Sequence, residues 1–214
     1  MIKVLLVDDH DLVRIGIKRL LEDANGITVI QESSNGEEAV QYCRNNPVDI
    51  VLMDVNMPGI GGIEATKKIL RYSPDIKVIV LTVHVEEPFP TKVMQIGASG
   101  FLTKSTPPAE MIQAIKAVNS GQRYITPDIA QQMALSQFNK TDDSPFTCLS
   151  ERELQIMLMI TRGEKVVNIS EQLSLSSKTI NSYRYRMFEK LDVSNDVELT
   201  HMAIRYGMLN TDSL

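Results

Sequence analysis

Short apolar runs recur through the first half of the chain, at Val4 to Val7, Thr28 to Ile30, Ile50 to Met53, Val78 to Leu81 and Gly100 to Leu102. Their starts lie 24, 22, 28 and 22 residues apart. Between them come segments of helical spacing, such as Leu12, Ile15 and Leu20, or Glu37 to Cys43. The runs are apolar throughout rather than alternating, which is the pattern of strands covered on both faces. The rhythm is that of βα repeats and predicts an α/β domain over residues 1–120, a five-stranded parallel sheet wrapped by helices.

After residue 120 the pattern changes. Thr126-Pro127 can start a helix running towards Phe138, and Asn139 to Pro145 is polar without apolar periodicity, so residues 121–144 read as a linker containing a helix. Ser150-Glu151-Arg152-Glu153 is a capping box and predicts a helix from there to near Gly163. Further helices are expected over Val166 to Leu173, Lys178 to Leu191 and Asp196 to about Tyr206, with a tight turn at Ser174 to Ser177. Residues 145–210 are thus expected to form a small all-α domain in which a helix-turn-helix spans Val166 to Leu191.

Composition adds little against this picture. Apolar residues make up 43% and charged residues 23%, and no segment is long enough to span a bilayer. The first apolar run ends at once in Asp8-Asp9, unlike a signal peptide, so a soluble, cytoplasmic protein with no membrane role is expected. Cys43 and Cys148 lack metal-ligand spacing and read as two free thiols. The net charge of −5 gives no bulk attraction to nucleic acid, and residues 144–214 carry eight basic against nine acidic residues. Within Lys178 to Lys190, however, four basic residues face the single acidic Glu189. Positive charge is concentrated on one helix.

In a doubly wound sheet, ligands bind beyond the carboxyl ends of the strands. Those ends carry Asp8 and Asp9, Asp54, Thr82 and, just past the fifth strand, Lys104. Three carboxylates brought together repel unless a cation neutralises them, and an all-oxygen donor set suits Mg²⁺. A carboxylate beside such a cation, a lysine and a hydroxyl can attack a phosphoryl group, and Asp54 is the expected nucleophile. Any one of these residues alone would read as a helix cap, a strand end or a solvated charge. It is their joint placement at successive strand ends that singles them out.

Leu5-Leu6-Val7-Asp8-Asp9, Met53-Asp54-Val55-Asn56-Met57-Pro58-Gly59, Thr82 and Phe101-Leu102-Thr103-Lys104 resemble the motifs of response-regulator receiver domains, which have a flavodoxin-like fold. The resemblance implies that Asp54 takes a phosphoryl group from a sensor histidine kinase. It further implies that Asp9, Asp54 and the Asn56 carbonyl hold Mg²⁺ with help from Asp8, and that Thr82 and Phe101 move together as the switch. Val83 and Ser105 depart from the commoner residues at their positions. A bulky Val83 leads us to expect slow hydrolysis of phospho-Asp54.

On the predicted helix from Lys178, the residues Lys178, Asn181, Ser182 and Tyr185 share one face, while Ile180, Met187, Phe188 and Leu191 can point to the core. Asn181 and Ser182 can read base edges, and Lys178, Thr179, Arg184, Arg186 and Lys190 are placed for phosphates. Leu149 to Leu154 and Leu175 to Ile180 resemble LuxR-type (NarL/FixJ) signatures. Glu86 to Thr91 and Asn181 to Leu191 resemble more closely the GacA/UvrY/SirA group of that family. This implies a regulator of small regulatory RNA genes, acting as a homodimer in the DNA major groove.

Two other classes were weighed. A phosphatase of the haloacid dehalogenase type also uses an aspartate nucleophile and Mg²⁺, but needs a carboxylate two residues on, where this chain has Asn56. A regulator that binds RNA or protein through its carboxyl-terminal domain is the other alternative, but this chain lacks the aromatic signature of an RNA module. A non-enzymatic, DNA-binding response regulator is therefore the expectation.

Overall fold

The computed structural model describes residues 1–82, 89–138, 145–206 and 208. Val83, Glu86 to Pro88 and the polar stretch 139–144 lie outside the described residues. The chain divides into two compact units, one built on residues 1–85 and 93–130, the other on 131–214 together with 86–92.

The first unit alternates strands and helices: β1 (Ile2–Val7), α1 (Asp11–Glu22), β2 (Ile27–Ser33), α2 (Gly36–Asn45), β3 (Ile50–Asp54), α3 (Gly61–Tyr72), β4 (Lys77–Thr82), α4 (Phe89–Gln95), β5 (Gly100–Thr103), α5 (Pro108–Asn119) and β6 (Tyr124–Ile125). All strand pairs are parallel, in the order β2-β1-β3-β4-β5-β6. The sheet has six strands rather than the five expected. The sixth is only two residues long and pairs Tyr124 and Ile125 with Gly100 and Phe101.

Every residue of β3 is buried, as are the last four of β1 and the last five of β4. Helices on both faces account for this. Leu6, Leu52, Ile79 and Leu102 on one face pack with Ile17 and Leu21 of α1 and Ile115 of α5. Each such buried side chain contributes about 1.5–3 kcal/mol of transfer free energy. The order reverses at β1, which has β2 on one side and β3 on the other, so the ends of β1 and β3 flank the switch point where ligands gather.

In the second unit α6 (Pro127–Phe138) is followed by a short 3₁₀ turn (Pro145–Cys148), α7 (Glu151–Thr161), α8 (Val166–Gln172), α9 (Ser177–Leu191) and α10 (Asp196–Arg205). The capping box at Ser150 and Glu153 is formed in both directions. Ser176 caps α9 by accepting from the Thr179 amide, and α9 ends at Asp192 in a left-handed conformation. Ile180, Met187 and Leu191 of α9 are buried with Leu154, Met157 and Leu158 of α7, Ile169 of α8 and Leu199 of α10. Cys43 is a buried and Cys148 an exposed free thiol. Among the described residues no helix is long and apolar enough to cross a membrane.

Candidate functional site

The strand ends converge as the sequence predicts. Asp8, Asp54 and Thr82 are wholly or almost wholly buried, and Lys104 reaches in from beyond β5, its backbone N–H donating to the Thr82 carbonyl at 2.9 Å. The Lys104 Nζ stands 2.8 Å from Asp54 Oδ2 and 2.8 Å from Asp8 Oδ2, joining the acids of β1 and β3. The Asn56 amide donates to Asp54 Oδ1 at 3.2 Å, which folds the β3–α3 loop back over the strand end. Phe101 is fully buried in β5, in register with Val80 on one side and Ile125 on the other.

Burial pushes the Asp54 carboxyl up to about 6, the Asp8 charge adding to the rise while Lys104 and the Asn56 amide oppose it. For Lys104 burial works against the charged form, but Asp54 and Asp8 outweigh it and hold the ammonium above its ordinary value. Lys104 is thus a fixed cation and Asp54 a carboxylate whose negative charge is costly until more positive charge arrives.

Asp8, Asp9, His10 and Asp54 place one ligand atom each within 4.8 Å of one another. Asp9 Oδ1 is a buried oxygen without an aligned hydrogen bond, and Asp8 Oδ2 faces the Lys104 ammonium. Such oxygens fit a hard divalent cation, and the donor set suits Mg²⁺.

Three side chains here escaped the reading of the sequence. His10 adjoins the acid pair. Arg14 of α1 donates to the Asp8 carbonyl oxygen at 2.7 Å, fixing the turn that carries both acids. Glu37 of α2 accepts from the Ile60 amide at 3.0 Å, closing the loop that follows Asp54. His10 and Arg14 could have been suspected from their proximity to Asp8-Asp9. Glu37 lies 23 residues from Ile60 and gives no such signal.

On α9 the residues Lys178, Ser182, Tyr185 and Arg186 are exposed, Tyr185 at 70%, and Thr179 and Asn181 are half-buried. The Ser182 hydroxyl donates to the Lys178 carbonyl, and the Arg186 guanidinium lies 4.5 Å from the centre of the Tyr183 ring. Two of the cations expected at phosphates are paired with carboxylates. Arg184 forms a two-pronged pair with Asp196 of α10, Nε to Oδ1 at 2.6 Å, and Lys190 Nζ lies 2.6 Å from Oε2 of the buried Glu153. Each answers a carboxylate within its own unit, Lys190 while remaining exposed. Lys178, Ser182, Tyr185, Arg186 and Lys190 are the exposed members of the expected DNA-contacting set, with Thr179, Asn181 and Arg184 half-buried.

Residues 4–116 match the response regulator receiver domain family, and residues 147–203 match the luxR family of bacterial regulatory proteins. The chain is a LuxR-family response regulator. It is 64% identical to the response regulator UvrY of Escherichia coli strain K12, over all of this chain and 99% of that protein. It is 56% identical to the response regulator GacA of Pseudomonas syringae pv. syringae, over the full length of both. Among solved structures, RcsB of Salmonella enterica serovar Typhimurium, bound to promoter rprA in the presence of the phosphomimetic BeF₃⁻, aligns with a TM-score of 0.67 at 25% identity. That alignment covers 94% of this chain and 98% of that one. Response regulators of this type are transcription regulators, not enzymes, and their receiver domains bind Mg²⁺ at an acidic pocket.

Proposed function

We propose that this response regulator is switched by phosphorylation of Asp54 and then acts on DNA through α9. The observation that carries the reading is the setting of Asp54: buried at the switch point, between Asp8 and the Lys104 ammonium. A carboxylate oxygen of Asp54 forms the new P–O bond while the donor's bond to phosphorus breaks, leaving a neutral imidazole when the donor is a phosphohistidine of a sensor kinase protonated on its other ring nitrogen. The Lys104 ammonium offsets the added negative charge, and the Thr82 hydroxyl at the end of β4 donates to a phosphoryl oxygen. Asp8, Asp9, Asp54 and the Asn56 backbone carbonyl would hold Mg²⁺, which supplies positive charge to the developing phosphate.

Phosphorylation biases an existing equilibrium, with Thr82 and Phe101 as the side chains that report the charge. In the phosphorylated form two copies pair on adjacent half-sites and α9 enters the major groove, Asn181, Ser182 and Tyr185 at base edges and Lys178, Thr179 and Arg186 at phosphates. The resemblance of α9 to the GacA/UvrY/SirA group makes small regulatory RNA genes the expected targets. The domain limits 1–120, 121–144 and 145–210 follow the change of hydrophobic pattern, and a cytoplasmic location fits a DNA-binding role.

The test is gel-shift binding to a library of short duplexes, with and without acetyl phosphate and Mg²⁺, for the wild type and Asp54→Ala. Sequence-selective binding that rises on phosphorylation and is lost in Asp54→Ala is the expected outcome. Binding without preference for any duplex would overturn the DNA reading, and equal enhancement in Asp54→Ala would overturn the assignment of the phosphoacceptor.

A further inference from the structure

We propose that His10 is a nitrogen ligand in the acidic pocket and shifts its preference from Mg²⁺ towards first-row transition cations. The inference rests on the reading of Asp8, Asp9 and Asp54 as metal-holding residues and extends it to a side chain of different chemistry.

His10 occupies the N-cap of α1 in an extended conformation, φ −92° and ψ 108°, yet its side chain makes no capping hydrogen bond. That position ordinarily favours Ser, Thr, Asn or Asp, whose oxygens accept from the first turn. Here the imidazole turns back over the acids, with Nδ1 2.8 Å from Asp9 Oδ1 and 3.4 Å from Asp8 Oδ1. The backbone amide of His10 donates to Asp8 Oδ1 at 2.8 Å, so the residue is anchored to the pocket at its main chain. Asp9 Oδ1 accepts no aligned hydrogen bond despite the nearness of Nδ1. A cation held by Asp9 Oδ1 and the Nδ1 lone pair would take the place of the proton that this close pair otherwise shares. The imidazole remains 63% exposed, which leaves a path for a hydrated ion.

A donor set of oxygen alone suits Mg²⁺ and Ca²⁺, whereas imidazole favours the first-row transition ions, whose affinities for nitrogen donors follow the Irving–Williams order. Adding His10 to the carboxylates therefore raises the affinity for ions such as Mn²⁺, Co²⁺ and Zn²⁺ relative to Mg²⁺. The cation occupying the pocket, and with it the rate of phosphorylation, would then respond to the supply of these metals.

Mn²⁺ is the probe of choice because it avoids the two thiols, reports its free concentration through its paramagnetic resonance lines and shows nuclear modulation from a directly bound ¹⁴N. The full chain, His10→Gln and Asp54→Ala are each titrated with Mn²⁺, and Mg²⁺ is then used to displace it. The expected result is ¹⁴N modulation in the wild type that vanishes in His10→Gln, with Mn²⁺ binding weakened by about tenfold, the lower end of what loss of even an outer partner of a metal site costs. Mg²⁺ affinity stays within twofold. Mn²⁺ that binds and is displaced by Mg²⁺, but shows no ¹⁴N modulation or an unchanged Mn²⁺-to-Mg²⁺ ratio in His10→Gln, overturns the role of His10 while the pocket stands. Mn²⁺ binding that is absent, or indifferent to Asp54→Ala, overturns both.

Discussion

Lys190, in the last turn of α9, closes on Glu153, in the first turn of α7, with 2.6 Å between Nζ and Oε2. Glu153 is buried and also accepts from the backbone amide of Ser150, so a single carboxylate ties the recognition helix to a helix cap. Burial alone would raise the Glu153 carboxyl, but Lys190 and Ser150 outweigh it and hold the group below its ordinary value. A depressed carboxylate stabilises the fold above its unfolded value of 4.5 and loses that contribution as pH falls through the folded one. Lys190→Met leaves the carboxylate buried without its cation and should cost about 1–3 kcal/mol. Thermal unfolding should show the loss at pH 7, with the gap to wild type narrowing below pH about 4.5. The salt dependence of DNA binding should be unchanged in Lys190→Met, whereas Lys178→Ala should reduce its slope by about one. A reduced slope in Lys190→Met would return that residue to the DNA face.

Asp54 has the opposite sign. Its carboxyl is raised from 3.8 to about 6, so the contribution of the protonated group is complete below 3.8 and disappears as pH rises through 6. Without Mg²⁺, the wild type should therefore lose stability relative to Asp54→Asn between pH about 4 and 6, and Mg²⁺ should restore it above that window. Phosphorylation needs the carboxylate and bound Mg²⁺ favours it, so at saturating Mg²⁺ the rate with acetyl phosphate should fall on acidification only below pH about 6. Differential scanning calorimetry with and without Mg²⁺ checks the first statement, and rates at fixed Mg²⁺ check the second. Parallel pH curves for wild type and Asp54→Asn would show that this carboxyl is not perturbed.

How far this was legible in the sequence depends on the range of the interaction. β1, β3 and β4 are buried along most of their length, so their apolar runs and regular spacing announced them, and the strand-end rule then placed Asp8, Asp9, Asp54, Thr82 and Lys104 together. Tyr124 and Ile125 form a two-residue strand that no periodicity can signal, since it is held by the edge of β5 and by the Tyr124 hydroxyl bond to Glu110 of α5. The partners of Lys190 and Arg184 are hidden from the sequence for a related reason. Helical spacing tells which face a residue occupies but not that Glu153, 37 residues away, or Asp196, 12 residues on, supplies a carboxylate there.

Gly62 lies so close to the phosphoacceptor strand that a Cβ at its position would fall 1.8 Å from the Asp54 carbonyl oxygen. Its amide donates to the Val55 carbonyl at 3.1 Å, so α3 starts directly against the end of β3. Gly62→Ala must therefore push the Asp54 backbone aside. A loss of about 3 kcal/mol and slower phosphorylation are expected, the upper range for overpacking. Gly16 in α1 provides the contrast, because nothing lies within 4 Å of its added Cβ and its backbone is helical. Gly16→Ala should raise stability by about 0.5–1 kcal/mol. Denaturant titration of both variants distinguishes close approach from a general sensitivity to added methyl groups.

Glu37 acts on the same loop from the other side. Its carboxylate accepts from the Ile60 amide and covers Gly59, which has φ +74° and where a Cβ would meet both carboxylate oxygens at 2.4 and 2.6 Å. Gly59 is therefore both the left-handed turn and the space the carboxylate needs. The loop between Asp54 and α3 also carries the Asn56 carbonyl, a proposed Mg²⁺ ligand, so release of Ile60 would loosen that oxygen without touching the pocket's carboxylates. Glu37→Ala should weaken Mg²⁺ binding by about tenfold, in line with the loss of an outer partner of a metal site. Because Glu37 is exposed, global stability should change by less than about 1 kcal/mol. Glu37→Gln keeps an oxygen acceptor for the Ile60 amide and should recover most of the affinity, which a purely electrostatic role would not allow. Isothermal titration with Mg²⁺ on the three proteins decides between them. Equal weakening in the alanine and glutamine variants would mean that the charge of Glu37, and not its hold on the loop, supports the site.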